Sequence, residues 1–363
     1  MCHNSTIKLL CGTTCARIEP RLQATMTDQR ESLMTPQSID VQLQRRRFLT
    51  LLTVSAAGGL AACGGGGGDT AAVPDNPAGA APVAPPVTPP TPMPAPDPAP
   101  APAAAKSSKR GIAYDLSAPA DLSALAPGLS WWYNWGSQPD AGVPSNHLAQ
   151  YGMDYIPMLW NDNFDAARIE AFIRANGVSY LLLLNEPNPT DQANMTPARA
   201  AALWPRYEAI AASTGVKLVG PAMTWGTLAN YSDPVVWMDA FYAAYQSANA
   251  GRLPQIDYLA YHWYDYGLAG QLDRMKKYGK PFWVTEMANW HSRQDGAQID
   301  TLAKQKAQMT EMVAICENRD DVFRYAWFIG RMSPDPHFTS LLGANGQLTE
   351  LGQLYISLPY KTA

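Results

Sequence analysis

Short apolar runs alternate with amphipathic stretches along the chain from Lys109 onward. Continuous apolar runs bounded by turn residues are typical of strands that are buried on both faces of a parallel sheet. The intervening stretches repeat apolar residues at i, i+3 and i+4, which is typical of helices that cover such a sheet. The pattern therefore predicts a series of strand–helix units rather than an all-helical or all-β domain.

Eight strands are predicted, and they indicate an α/β fold of the (β/α)8 (TIM) barrel type. About 255 residues hold these eight units, close to the ~250 residues typical of such barrels. An open, doubly wound sheet is the alternative, but no Gly-rich phosphate loop follows the first strand. The predicted strands are 111–114, 129–135, 155–160, 180–185, 217–222, 256–263, 282–285 and 322–328.

The helical stretches carry recognisable start and stop signals. Thr196 offers an N-cap and Pro197 occupies the first helical position, while Gly279 marks the end of another helix;. The first two helices have the weakest pattern. The predicted helices are 122–125, 146–151, 164–175, 196–212, 234–250, 268–278, 300–318 and 351–358.

An export signal is predicted in residues 1–62. Arg45-Arg46-Arg47 precedes an apolar run of about 13 residues, 48–60, too short to span a bilayer but suited to a signal-peptide core. Paired arginines before Phe-Leu resemble a twin-arginine signal. The end of the run, Leu-Ala-Ala-Cys63, resembles a bacterial lipobox and predicts acylation of Cys63, which would anchor the protein to a bacterial membrane at the cell surface or in the periplasm. An ordinary secretory signal with an incidental cysteine is the alternative.

Residues 63–108 are predicted to be a disordered tether. Five glycines follow Cys63, and about 13 of the 31 prolines then lie between residues 71 and 105. A Pro/Ala-rich segment of this kind cannot bury a core and favours extended, partly polyproline II structure. The excess proline therefore belongs to the tether, and the folded domain is residues 109–363.

Composition narrows the class of partner. The net charge is -4 and only 16% of residues are charged, which argues against nucleic acid because nucleic-acid binding selects for a basic face. Cys316 is the one cysteine of the folded domain, so no disulfide is expected there and a core role for the thiol is favoured. No His/Cys/Asp spacing suggests a metal, and neither a cofactor nor an oligomer is expected.

Two glutamates stand where buried strands end. Glu186 follows four leucines and Asn185, and Glu286 follows Trp-Val-Thr. A carboxylate at the end of a buried strand costs folding free energy unless it has a partner or a chemical function. Barrel enzymes place their functional groups at these strand ends. Two carboxylates among aromatic residues are typical of a glycosidase. Polar and aromatic residues at the other strand ends complete the candidate site: Asn134, Trp135, Trp160, Trp225, His262, Tyr264 and Trp327.

The residues at the strand ends resemble glycoside hydrolase family 128, the Asl1-like catalytic core of clan A. The resemblance covers roughly residues 109–358. It is carried by six ordered motifs, which are Trp132-Tyr133-Asn134-Trp135, Ile156-Pro157-Met158-Leu159-Trp160, Asn185-Glu186-Pro187-Asn188, Gly220-Pro221-Ala222, His262-Trp263-Tyr264 and Trp283-Val284-Thr285-Glu286.

The resemblance implies endo-acting hydrolysis of β-1,3-glucan with net retention. It implies that Glu186 is the acid/base and Glu286 the nucleophile, and that Asn185 bonds the sugar 2-hydroxyl. His262 and Tyr264 would orient Glu286 and keep it ionised. The positions expected to bind substrate are Asn185, His262, Tyr264, Asn134 and four tryptophans, Trp135, Trp160, Trp225 and Trp327.

Several alternatives stay open at this point. His262 could be a satisfied core histidine, and each tryptophan could serve barrel packing instead of sugar contact. Asp115 and Asp265 are further carboxylates near the mouth, and residues 332–347 match no motif of the family. The protein could also be a β-glucan-binding surface lipoprotein without turnover, or a clan A hydrolase acting on another β-glycan such as mannan or xylan.

Overall fold

The computed structural model describes residues 105–362. Nine strands form one parallel sheet in the order β3-β2-β1-β9-β8-β7-β6-β5-β4. The predicted export signal, Cys63 and most of the tether lie outside the described residues. The strands are β1 Arg110–Ala113, β2 Trp131–Tyr133, β3 Asp154–Tyr155, β4 Met158–Leu159, β5 Tyr180–Leu183, β6 Lys217–Met223, β7 Tyr258–Trp263, β8 Phe282–Met287 and β9 Val322–Trp327.

The predicted third strand is split into β3 and β4 at Ile156-Pro157. Pro157 has no N–H to donate to a ladder, although its carbonyl still accepts from the Leu182 N–H at 3.0 Å. β3 pairs with β2, and β4 pairs with β5. The two ends of the strand order are thus halves of one segment, and the sheet closes through it. Eight strand–helix units in a barrel are confirmed.

A helix follows each strand of the barrel, with β3 and β4 counted as one strand. Helices therefore cover the outer side of the sheet. The helices are α1 Pro119–Leu125, α2 His147–Tyr151, α3 Ala166–Asn176, α4 Pro197–Thr214, α5 Pro234–Ala248, α6 Leu268–Met275, α7 Leu302–Asn318 and α8 Glu350–Ser357. Thr196 caps α4 by accepting from the Arg199 N–H at 3.3 Å. The sixth predicted helix ends in a 3-10 turn, Lys276–Tyr278, before left-handed Gly279. No helix among residues 105–362 is long and apolar enough to cross a membrane.

A buried arginine fastens the last helix to the first strand. Arg110 is 1% exposed. It donates to the carbonyl oxygens of Tyr355 and Leu358 at 2.7 and 2.8 Å and to the Tyr325 hydroxyl at 2.8 Å. Its guanidinium also lies 3.6 Å from the buried Glu317 carboxylate. The guanidinium therefore satisfies carbonyls at the end of α8 and balances a buried charge.

Replacing Arg110 by methionine should destabilise the domain by about 3–5 kcal/mol, because it leaves the Glu317 carboxylate buried without its cation. Urea unfolding followed by circular dichroism measures the change. Lys277→Met is the matched control, since Lys277 pairs with Asp239 on the surface and such pairs contribute about 0–1 kcal/mol. Equal effects of the two substitutions would contradict this role.

Candidate active site

Three buried polar side chains meet at the carboxyl ends of β5, β7 and β8. Glu186 is 1% exposed, and His262 and Glu286 are 0% exposed. The strand register places His262 of β7 opposite Glu286 of β8. One carboxylate oxygen from each glutamate and one ring nitrogen of His262 all lie within 4.8 Å of one another. The two predicted glutamates are thus brought together across a short gap.

Three hydrogen-bond donors converge on the Glu286 carboxylate. Trp135 Nε1 and the Tyr133 hydroxyl donate to Oε1 at 2.8 and 3.0 Å, and the Tyr264 hydroxyl donates to Oε2. Donors in a buried site stabilise a negatively charged acceptor and fix its direction. Tyr264 therefore orients Glu286 as the sequence suggests. Tyr133 ends β2 and belongs to the first motif of the resemblance, but it was assigned no role in the site.

The histidine lies between the two glutamates and a threonine. His262 Nδ1 is hydrogen bonded to Glu186 Oε1 at 2.7 Å, and Nε2 is hydrogen bonded to Thr285 Oγ1 at 2.9 Å. Nδ1 also lies 3.4 Å from Glu286 Oε2. The shorter contact shows that the nearest partner of Nδ1 is Glu186, and the 3.4 Å contact keeps His262 next to Glu286 as well. Since protein atoms engage both ring nitrogens, the expectation that His262 binds substrate is corrected.

Asn185 keeps an acceptor available. Its side-chain N–H donates to Gln192 Oε1 at 3.1 Å. Its Oδ1 is buried and has no hydrogen-bond partner among residues 105–362. An unpaired buried carbonyl is costly, so this oxygen suits a site that receives a hydroxyl group from outside the protein.

Backbone strain is concentrated at the site. Leu184, Glu186 and Trp135 have φ angles of 51, 47 and 59°. Bulky residues rarely adopt this left-handed region, and each instance costs about 1–3 kcal/mol. Sheet bonds hold the strained segment, because the Glu186 N–H donates to the Ala222 carbonyl at 2.9 Å. Glu186 thus leaves the extended conformation of β5 at the point where its side chain meets His262.

Two of the predicted tryptophans border an open cavity. Trp135 and Trp160 are half-buried and line a cavity of about 290 Å³ together with Met158, Phe164 and Arg168. Trp135 is the link between this cavity and the carboxylate pair, because its side chain lines the cavity and its N–H donates to Glu286 at 2.8 Å. An aromatic wall next to polar groups is suited to sugar rings, which expose flat C–H faces.

The other two tryptophans are packed against protein. Trp225 is 5% exposed; its N–H donates to Gln271 Oε1 at 3.0 Å, and the Arg274 guanidinium lies 4.9 Å from its ring. Trp327 is fully buried. Its ring lies 6.1 Å from that of Tyr355 in α8, and its N–H donates to the Thr339 carbonyl at 2.9 Å. The assignment of Trp327 to a sugar subsite is therefore corrected, because its side chain points to the outer helix layer.

The next residue faces the site instead. Phe328 lies 5.9 Å from Trp135 and 5.6 Å from Tyr264 between ring centroids. Successive side chains alternate between the faces of a strand, so one position decides which residue meets the carboxylates. Phe328 thus packs against two of the donors to Glu286, and the sequence alone did not single it out.

Asn134 organises the loop that carries Trp135. Its Oδ1 accepts from the Tyr155 hydroxyl at 2.6 Å and from the Gly136 N–H at 3.1 Å. Its Nδ2 donates to the Gln138 carbonyl at 3.2 Å. These bonds give Asn134 a role in positioning Trp135, and its contact with substrate stays a prediction.

The two additional carboxylates have separate environments. Asp265 is hydrogen bonded to His291 Nδ1 at 2.9 Å, and His291 Nε2 lies 3.0 Å from Asp295. Asp265 therefore joins the loops that follow β7 and β8. Burial, with a smaller contribution from the negative charge of Asp140, raises the pKa of Asp115 to about 7.

Asp115→Asn should remove part of the pH dependence of stability. The raised pKa means that folded Asp115 holds its proton while the unfolded chain has lost it, so this carboxyl lowers stability as the pH rises from about 4 to about 7;. Thermal unfolding at pH 4 and pH 8 measures this. The melting temperature of the variant relative to wild type should be higher at pH 8 than at pH 4; an identical difference at both values would contradict the assignment.

Among residues 105–362, one group of side chains has possible ligand atoms that are spaced for a metal ion. It consists of Glu186, His262 and Glu286. The same atoms are engaged in hydrogen bonds with one another and with Tyr264. An ion would have to replace those bonds. The donor set is therefore compatible with a metal, while the hydrogen bonds match a pair of carboxyl groups that handle protons.

Comparison with known proteins agrees with both the fold and the site. A family model described as glycosyl hydrolase catalytic core matches residues 111–355. The crystal structure of a family 128 (subgroup II) endo-β-1,3-glucanase from Pseudomonas viridiflava is 63% identical, with a TM-score of 0.70, and the match covers 71% of this chain and all of that one. A subgroup I endo-β-1,3-glucanase from Amycolatopsis mediterranei, in complex with laminaritriose, is 26% identical with a TM-score of 0.55 over 69% of this chain and 99% of that one.

A curated relative gives a more distant match. Alkali-sensitive linkage protein 1 of Schizosaccharomyces pombe is 26% identical over 267 residues. The match covers 69% of this chain but only 45% of that protein. The model match, the closed barrel and the paired glutamates agree, and the chain belongs to the glycosyl hydrolase catalytic core family, within glycoside hydrolase family 128.

Proposed function

We propose that this protein is an endo-β-1,3-glucanase that works with net retention of configuration. The observation that carries the proposal is the Glu186–Glu286 pair, whose oxygens lie within 4.8 Å. Retaining glycosidases hold their carboxyl groups about 5–5.5 Å apart, whereas inverting enzymes leave about 6.5–9.5 Å for a water molecule. The endo-β-1,3-glucanase from P. viridiflava supports the choice of glucan.

In the first step, Glu286 attacks the anomeric carbon and Glu186 gives its proton to the glycosidic oxygen. The C1–O bond of the glucan breaks, a C1–Oε bond to Glu286 forms, and the leaving chain departs as an alcohol. Tyr133, Trp135 and Tyr264 hold the Glu286 carboxylate in place before attack. Glu186 ends the step as a carboxylate.

In the second step, Glu186 acts as a base. It removes a proton from water, the water oxygen bonds to C1, and the bond between C1 and Glu286 breaks. Both carboxyl groups return to their starting states. Because C1 is inverted twice, the product has the configuration of the substrate. Asn185 Oδ1, which is buried without a partner among residues 105–362, accepts from the sugar 2-hydroxyl.

The groove chemistry fits a neutral glucan. Trp135 and Trp160 line one cavity, and the Trp135 N–H also bonds Glu286. Stacking on these rings does not require a charged sugar. The low charge of the chain agrees with an uncharged polymer. The A. mediterranei enzyme in complex with laminaritriose provides a related example of β-1,3-linked sugar binding.

A polysaccharide panel tests this function. The full chain should release a series of oligosaccharides from laminarin and none from mannan, xylan or cellulose, and Glu286→Gln should be inactive on all four. Release from mannan or xylan alone would assign the enzyme to another β-glycan. Laminarin binding without product would show a binding protein, and glucose as the sole early product would show exo action.

We further propose that Cys63 carries lipid and anchors the enzyme to a bacterial membrane. The basic cluster, the apolar run, the small residues and the cysteine follow one another in the order found in bacterial lipoprotein signals. A cysteine that carries several acyl chains anchors a protein stably to a membrane. In a bacterial host fed labelled palmitate, the wild type should take up label and sediment with membranes. Cys63→Ser should do neither, and Cys316→Ser is the matched control. Unchanged sedimentation of Cys63→Ser would overturn the anchor.

A further inference from the structure

A threonine supports the far side of the histidine that contacts Glu186. Thr285 lies in β8, one residue before Glu286, and is 1% exposed. Its hydroxyl is 2.9 Å from His262 Nε2, and the opposite ring nitrogen is 2.7 Å from Glu186 Oε1. Glu186, His262 and Thr285 thus form one buried hydrogen-bonded chain.

This chain must serve Glu186 in two protonation states. When Glu186 is ionised, the matching neutral tautomer carries its proton on Nδ1, which donates to the carboxylate, and Nε2 must accept. When the contacting oxygen of Glu186 is protonated, Nδ1 must accept and Nε2–H must donate. A hydroxyl group can donate or accept by rotating, so Thr285 satisfies Nε2 in both cases.

We propose that Thr285 is a positioning residue that allows His262 to change tautomer as Glu186 alternates between acid and base. The proposal rests on the proposed acid/base role of Glu186. The hydroxyl needs no bond to substrate and acts only through the imidazole ring. Because the histidine is fully buried, water does not replace the hydroxyl, and an unpaired Nε2–H in that position is disfavoured.

Thr285→Val keeps the shape and removes the hydroxyl group. In this variant the tautomer with Nδ1–H is favoured, because the other tautomer buries an unpaired donor. Nδ1–H stabilises ionised Glu186, so the alkaline limb of kcat/KM on laminarin should move to lower pH by about one unit. The acidic limb, which reports Glu286, should move less, because Nδ1 lies 3.4 Å from Glu286 Oε2 but 2.7 Å from Glu186 Oε1. The maximal kcat should fall by about tenfold, less than the ~10²–10⁴-fold that general acid–base catalysis contributes, because Glu186 itself is retained.

Two variants separate this role from a packing role. Thr285→Ser restores the hydroxyl group and should return the pH profile to that of the wild type. Thr339→Val removes the hydroxyl of another fully buried threonine, which bonds Asp335, and should lower stability without moving either limb. A Thr285→Val profile that is lowered evenly at every pH, or a Thr285→Ser profile displaced like that of valine, would overturn the proposal.

Nitrogen NMR of histidine-labelled protein reads the tautomer without turnover. In the wild type the protonated nitrogen of His262 should change from Nε2 to Nδ1 as the pH crosses the alkaline limb, whereas in Thr285→Val it should remain Nδ1. His262→Gln assigns the signals. One tautomer throughout in the wild type would overturn the proposal even if laminarin is hydrolysed with retention. Failure of the wild type to hydrolyse any β-1,3-glucan would instead refute the proposed function.

Discussion

Glu286→Ala should lower the hydrolysis of laminarin by about 10⁵–10⁶-fold, the scale seen when the nucleophile of a covalent enzyme is removed. The substitution removes the atom that bonds C1 and leaves the donors Tyr133, Trp135 and Tyr264 facing a small cavity. Azide fits such a cavity and is itself a nucleophile. With an aryl β-laminaribioside, added azide should restore turnover and yield the α-glycosyl azide.

The azide product distinguishes a nucleophile from a structural glutamate. Azide in the place of Glu286 attacks the face opposite the leaving group, so one inversion is expected. Glu311→Ala, an exposed position on α7, should retain wild-type activity and form no azide product. A Glu286→Ala variant that keeps laminarin activity, or that forms only the β-azide, would contradict the nucleophile assignment.

Glu186→Ala should show a loss that depends on the leaving group. With laminarin the leaving sugar needs a proton, so the loss should reach about 10²–10⁴-fold, the usual contribution of general acid–base catalysis. A dinitrophenyl glycoside leaves without a proton, so the glycosyl-enzyme should form quickly and wait for a base. Azide needs no base, and it should speed this second step to give the β-glycosyl azide.

Comparison of the two substrates measures this prediction directly. Steady-state rates on laminarin and on the dinitrophenyl β-laminaribioside, each with and without azide, give four values for each variant. Glu186→Gln is the isosteric companion, because it keeps the hydrogen bond partner near His262 Nδ1 and removes only the proton exchange. Equal losses on both substrates, without any effect of azide, would contradict the acid/base role.

The sequence predicted the barrel because buried parallel strands are short, continuous apolar runs that are bounded by turn residues. The position of Glu186 and Glu286 followed, since a carboxylate at a strand end is conspicuous. The face chosen by each side chain did not follow. A strand that is buried on both sides has no polar face, so its sequence does not show which side chains point toward the site. Trp327 was therefore assigned to the site in place of Phe328.

The partners of His262 could not be predicted either. They depend on a register shift between Tyr261 and His262 in the pairing of β7 with β8. They also depend on the left-handed turn at Glu186, whose φ is 47°. Glycine is the residue that usually indicates such a turn in a sequence, and this position holds a glutamate. Strain of this kind is maintained by the surrounding sheet, so it belongs to the tertiary structure rather than to a local pattern.

The stereochemistry of the first product tests the central claim most directly. Proton NMR of the reducing-end anomeric signals, recorded during the first minutes of laminarin hydrolysis by the wild type, shows which anomer forms before mutarotation. Two glutamates whose oxygens lie within 4.8 Å predict that the β-anomer appears first and the α-anomer follows slowly. Initial appearance of the α-anomer would contradict a double displacement through Glu286.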